Sequence, residues 1–121
     1  MSQALKDRTK KFALDVWYLC SQLPHTREYT NYVNQLLRCS SSIAANYRAA
    51  IRAKSNADFI NKLKIVEEES DESVYWLELI KAYNNIKDSE FEIIVIESKE
   101  LEKIFAASAI TAKKNLANSK K

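Results

Sequence analysis

A chain of 121 residues with no glycine, and with Pro24 as its only proline, has few ways to reverse direction tightly. Positive φ is cheap only for glycine, so tight turns, phosphate-cradling loops and flexible linkers built on that freedom are excluded. What remains is a set of helices joined by short polar connections, an all-α protein. The length suits one domain, in which roughly two-thirds of the unfolded chain's surface can be buried around one core. No run of about 18 uninterrupted apolar residues exists, and the start, MSQALKDRTKK, lacks the apolar segment of a signal peptide, so a cytoplasmic protein without a membrane partner is expected. Cys20 and Cys39 stand alone, without CxxC spacing or a neighbouring histidine, and are expected as reduced core residues with no metal and no cofactor.

Apolar periodicity divides residues 1–116 into four helices over about 4–22, 27–53, 56–84 and 89–115, with 117–121 a disordered basic tail. In the first helix Leu5, Phe12, Val16, Leu19 and Leu23 share one face, and Ala13, Trp17 and Cys20 form a second strip, so this helix should touch more than one neighbour. Lys6, Arg8, Lys10 and Lys11 oppose its dipole, which either leaves a solvated, slightly frayed end or is offset by a bound anion or a neighbouring acid. Thr26 is placed to cap the second helix, whose stripe is Val33, Leu36, Leu37, Ser40, Ile43, Tyr47, Ala50 and Ile51. Its far side holds Arg38, Ser41, Ser42, Ala45, Arg48, Ala49 and Arg52, small residues that would let another helix approach, so covering on both sides is expected.

Ser55-Asn-Ala-Asp58 and Ser89-Glu-Phe-Glu92 have capping-box spacing, and Asn84-Asn85 can take the left-handed conformation that ends a helix without glycine. The third helix carries two stripes. Phe59, Leu63, Val66, Ser70, Ser73, Leu77 and Ile80 form the first; Ile65, Glu69, Glu72, Trp76, Leu79 and Tyr83 lie about 120° away and predict a subunit interface. The fourth should bury Phe91, Ile94, Leu101, Ile104, Phe105 and Ser108, widened by Ile93, Val95 and Ile96. Four such helices with short connections form an antiparallel up-down-up-down bundle.

Gln35-Leu-Leu-Arg38, Ser41-Ser42-Ile43, Asn46, Arg52-x-x-Ser55-x-x-Asp58-Phe59 and the pattern up to Glu72 resemble the bacterial four-helix-bundle proteins of the ribosomal-RNA intervening-sequence type. The likeness runs from Leu5 to about Lys114. The chain is also similar to the accessory variability proteins of diversity-generating retroelements. The resemblance implies a ring-like homopentamer and, for the retroelement branch, a basic surface that binds RNA or DNA and a reverse transcriptase. Where many members carry Glu-Gly, this chain has Ala49-Ala50, which keeps ordinary helix there.

The net charge of +3 is unevenly spread: residues 1–64 hold 11 basic and 4 acidic side chains, residues 65–112 hold 4 and 12, and residues 113–121 hold 4 and none. Two readings follow. Arg38, Arg48 and Arg52 fall within about 80° on their helix and, with Lys54, Lys62 and Lys64, could meet phosphates. Alternatively they pair with Glu68, Glu69, Asp71 or Glu72 of a neighbouring helix or subunit, which would make the protein a protein-interaction scaffold. Ser42 and Asn46 are expected to hydrogen-bond the carboxylates of the third helix and fix its register. Trp17, Trp76, Tyr47, Tyr75 and Tyr83 suit either base stacking or packing. Catalysis finds no support: His25 is the only histidine, and a dimetal site built from Glu69 and Glu72 would need Glu-x-x-His. A non-catalytic, oligomeric nucleic-acid-binding module is the expectation.

Overall fold

Backbone N–H groups at a helix start have no intrahelical partner, and three helices begin where a side chain supplies one. The computed structural model describes residues 2–84 and 87–119, which form α1 (Ser2–Ser21), α2 (Arg27–Ile51), α3 (Asn56–Asn84) and α4 (Ser89–Ser119). The Thr26 hydroxyl accepts from the Tyr29 N–H at 3.4 Å, with Glu28 in the first turn of α2. Ser55 Oγ accepts from the Asp58 N–H at 3.1 Å, whereas the Asp58 carboxylate accepts from Lys62 Nζ at 3.0 Å. Only half of that capping box forms, because aspartate is one methylene shorter than the usual glutamate. The cap of α4 sits one residue earlier than the sequence suggests: Asp88 Oδ1 accepts from the Glu90 N–H at 2.9 Å, and Glu92 pairs across the bundle with Lys81.

Helix ends follow local hydrogen bonding. Beyond Ile51 the ladder tightens, with Arg52 N–H donating to the Ala49 carbonyl and Ala53 N–H to that of Ala50, so α2 stops short of the expected residue 53 in a 3₁₀-like turn. α4 continues past the expected Asn115 to Ser119, since no glycine or proline interrupts its last turns. Of the expected tail, Lys120 and Lys121 lie outside the described residues. Asn84 is the last helical residue of α3, its Nδ2 donating to the Ile80 carbonyl at 2.9 Å; Asn85 lies outside the described residues.

α1 packs on α2 and α4, and α3 packs on α2 and α4, while among the described residues neither diagonal pair meets. This is the connectivity of an up-down-up-down bundle. The centre holds Phe12, Val16, Leu36, Ile43, Leu63, Val66, Leu77, Ile80, Phe91, Val95, Leu101 and Phe105, all nearly inaccessible to solvent. Thr9, Ser40, Ser70, Ser73 and Ser98 are buried among them. Each hydroxyl donates to a carbonyl three or four residues back in its own helix, for example Ser70 to Val66 at 2.7 Å and Ser98 to Val95 at 2.7 Å. Small, internally satisfied hydroxyls let the helices approach without an orphaned donor. The stripe of α4 departs from expectation. Val95, Ser98 and Ala109 face the core, Ile94, Ile104 and Ser108 sit half-buried at its edge, and Ile93 and Ile96 are exposed. The adopted face keeps both Phe91 and Phe105 buried, with the small residues Ser98 and Ala109 buried on the same side.

Candidate nucleic-acid interface

The two sides of α2 differ in what they meet. Toward α3, Arg38 NH1 lies 3.2 Å from both carboxylate oxygens of Glu69, and NH2 pairs with Glu72. Glu72 also accepts from Trp76 Nε1 at 3.2 Å. Its carboxyl is held below the ordinary glutamate range, first by the Arg38 hydrogen bond, against the opposing effect of burial, and Arg38 is correspondingly raised. Trp76 packs against Tyr32 and Tyr75, and Tyr29 meets Tyr83 edge-on. Much of the strip expected between subunits is therefore used within the chain: Glu69, Glu72, Trp76 and Leu79 are half-buried, while Ile65 and Tyr83 remain exposed. Asn46 Nδ2 donates to Ser42 Oγ at 2.8 Å and to its carbonyl at 2.9 Å. That bond stays inside α2 and does not reach the α3 carboxylates as expected, because an i, i+4 partner on the same helix is nearer.

The outer side of α2 is open. Ser41, Ala45, Arg48 and Arg52 are exposed and only Ser42 and Ala49 of that side are half-buried, so among the described residues no helix supplies the second covering predicted from the small residues there. Among the described residues, the ion pairs take up Arg38, Lys62, Arg8 and Lys11 but not Arg48, Arg52, Lys54, Lys64, Lys6 or Lys10. Arg8 binds Glu97 of α4 bidentately at 2.8 and 2.6 Å, and Lys11 bonds Asp15 at 2.6 Å. Half of the basic start of α1 is thus neutralised and half is not.

Antiparallel packing converts the uneven sequence into an axial charge separation. The start of α1, the end of α2, the start of α3 and the end of α4 meet at one end of the bundle, where Leu5, Tyr47, Phe59 and Ser108 line a common open cavity of about 480 Å³. Residues 2–11, 45–64 and 105–119, which make up this end, hold 11 Lys and Arg against only Asp7 and Asp58. The remaining described residues hold 6 Lys and Arg against 14 Asp and Glu. Lys6, Lys10, Lys113 and Lys114 join the arginine patch only through this topology. Each was visible in the sequence as part of a charge run, but the approach of the runs was not.

Between α1 and α2 lies an open groove of about 470 Å³, lined by Lys10, Leu14, Trp17, Leu37, Ser41 and Ala44 among others. Trp17 is 65% exposed, as Tyr18 nearly is, which places the second strip of α1 outward at this point. Cys20 and Cys39 are free and buried, and burial pushes their thiols up to about 12 and about 11. They are poor nucleophiles in that state. His25 is exposed in the α1–α2 connection, and among the described residues no group of three or more His, Cys, Asp or Glu side chains could hold a metal ion. No helix among them is long and apolar enough to cross a membrane.

Fold and surface define a small all-helical bundle with one strongly basic end. The family model described as 23S rRNA-intervening sequence protein matches residues 3–107. A crystal structure of a protein of unknown function from the S23 ribosomal protein family of Bacteroides thetaiotaomicron is similar, with a TM-score of 0.79 and 35% identity over 89% of this chain and 96% of that one. The chain belongs to the 23S rRNA-intervening sequence protein family. No curated protein matches it.

Proposed function

We propose that this protein is a non-catalytic, cytoplasmic nucleic-acid-binding module that works as a ring-like homopentamer, with RNA or an RNA–protein complex as its leading ligand. The observation that carries this reading is the concentration at one end of cations that have no acidic partner among the described residues, above all Arg48, Arg52, Lys54 and Lys64. Guanidinium and ammonium groups free of carboxylates are available to phosphate oxygens, and each phosphate neutralised releases counterions. Arg48 and Arg52 are the principal contacts, Lys54 and Lys64 extend the patch, and Arg38 and Lys62 are committed to carboxylates. Repetition around a ring would let several modest contacts act together. The exposed apolar side chains Ile93, Ile96 and Ile110 of α4 favour self-association.

The test is fluorescence anisotropy with labelled RNA and DNA at low and near-physiological salt, beside native mass spectrometry for the oligomer. Expected are binding that weakens steeply with salt, a loss of about tenfold or more on Arg48→Glu plus Arg52→Glu, and a shallower salt slope as fewer phosphates are neutralised. Absence of binding at low salt would overturn the reading and leave the interaction scaffold in its place.

A further inference from the structure

We propose that the ligand is single-stranded, and that one unpaired base stacks on Trp17 while its strand runs along the α1–α2 face toward Arg48 and Arg52. This inference rests on the nucleic-acid reading above and narrows it.

Trp17 differs from the chain's other tryptophan. Trp76 donates to Glu72 and packs on two tyrosines. Trp17 stands 65% exposed and, among the described residues, has neither a hydrogen bond nor an aromatic partner. An indole in that state is an available stacking surface beside an open groove, and Leu14, 54% exposed, widens the apolar wall next to it.

The groove continues into charge. Lys10 of α1 and Ala44 of α2 line it together. One helical turn further on, Lys6 follows Lys10 and Arg48 follows Ala44 on the same sides, with Arg52 a turn beyond. None of these four cations has an acidic partner among the described residues. On the α2 side no acid occurs from Tyr29 to Ala57, and on α1 Asp7 accepts from Gln3 and Asp15 from Lys11. The face therefore offers an aromatic platform with Lys10 beside it and, about 16 Å along the axis from the level of Leu37, Arg48, with Lys6 on the α1 side and Arg52 a turn beyond. That combination matches the chemistry of a strand whose bases are free to stack and whose backbone is anionic. A duplex hides its base faces, so it can use the cations but not Trp17.

Anisotropy of matched single-stranded and duplex oligonucleotides, with the intact protein and with Trp17→Ala, tests the proposal. The single strand should bind more tightly, and Trp17→Ala should lower its affinity about tenfold while duplex affinity stays unchanged. Trp76→Phe leaves Trp17 as the sole tryptophan, and its fluorescence should be quenched by an oligothymidine strand. Equal affinity for the two forms together with no effect of Trp17→Ala would overturn the inference and leave the phosphate-binding reading standing. A Trp17 emission that shifts with protein concentration and ignores the oligonucleotide would also overturn it, since a second copy would then occupy the groove. Failure of both forms to bind would instead remove the parent reading.

Discussion

Arg38 and Arg48 lie on the same helix, yet only one has spare charge. Arg38 reaches over the α2–α3 seam into two carboxylates, one of which also accepts from Trp76, and its guanidinium completes a contact between helices. Arg48 lies on the exposed side of α2, one turn beyond Ala44 of the α1–α2 groove, and among the described residues it forms no ion pair. The seam is sealed by charge and aromatic packing; the groove is left unsealed by small residues. A cation's role here depends on which neighbour its helix face meets, and its residue type carries little of that information.

The largest expected difference between the two regions is in stability. Leu36, fully buried on α2, should cost about 2–5 kcal/mol when changed to alanine. Trp17→Ala in the groove should change stability by no more than about 0.5 kcal/mol, despite removing a larger side chain. Urea denaturation of both variants checks this, and a large loss for Trp17→Ala would mean that the groove is covered. Next come the arginines. Arg38→Ala leaves Glu69 and Glu72 facing each other, and because the pair is half exposed the loss should be about 1 kcal/mol. Arg48→Ala should leave stability within about 0.5 kcal/mol of the parent.

The smallest effect is a dependence on pH. Glu72 has a lowered folded-state pKa, so its contribution is fully present above its unfolded value near 4.3 and is lost as pH falls through the folded value. Glu72→Gln should therefore be less stable than the parent at pH 7, and the gap should close toward pH 3. A gap that stays constant with pH would show that the carboxylate charge contributes nothing to the seam.

The four helices were legible because their signals are local. The periodicity of Phe12, Val16 and Leu19, the Thr26 cap and the Ser55 hydroxyl each act within one or two turns, and the structure keeps them. The Ser89 box failed by one residue because Asp88, an equally good cap, lies next to it and Glu92 has a cation to meet on α3. Periodicity alone leaves the α4 stripe ambiguous near Ile94, which sits at the edge of the core, because nearly every position from Phe91 to Ile96 is apolar. Where a helix offers several possible faces, only its neighbours select one. The arginine patch was recognised as a group, but its division into a paired Arg38 and exposed Arg48 and Arg52 required knowing how far α3 reaches along α2.

The sequence by itself determined an all-α chain of four helices, since the absence of glycine and the 3.6-residue periodicity act on the backbone locally. It also carried the family signature between Gln35 and Glu72. Only the tertiary structure decided that basic runs far apart in the chain gather at one end, and that Trp17 stands outside while Trp76 is enclosed. Helix formation depends on neighbours within a turn or two, whereas charge pairing and exposure depend on which helices lie side by side, in which direction, and at what level.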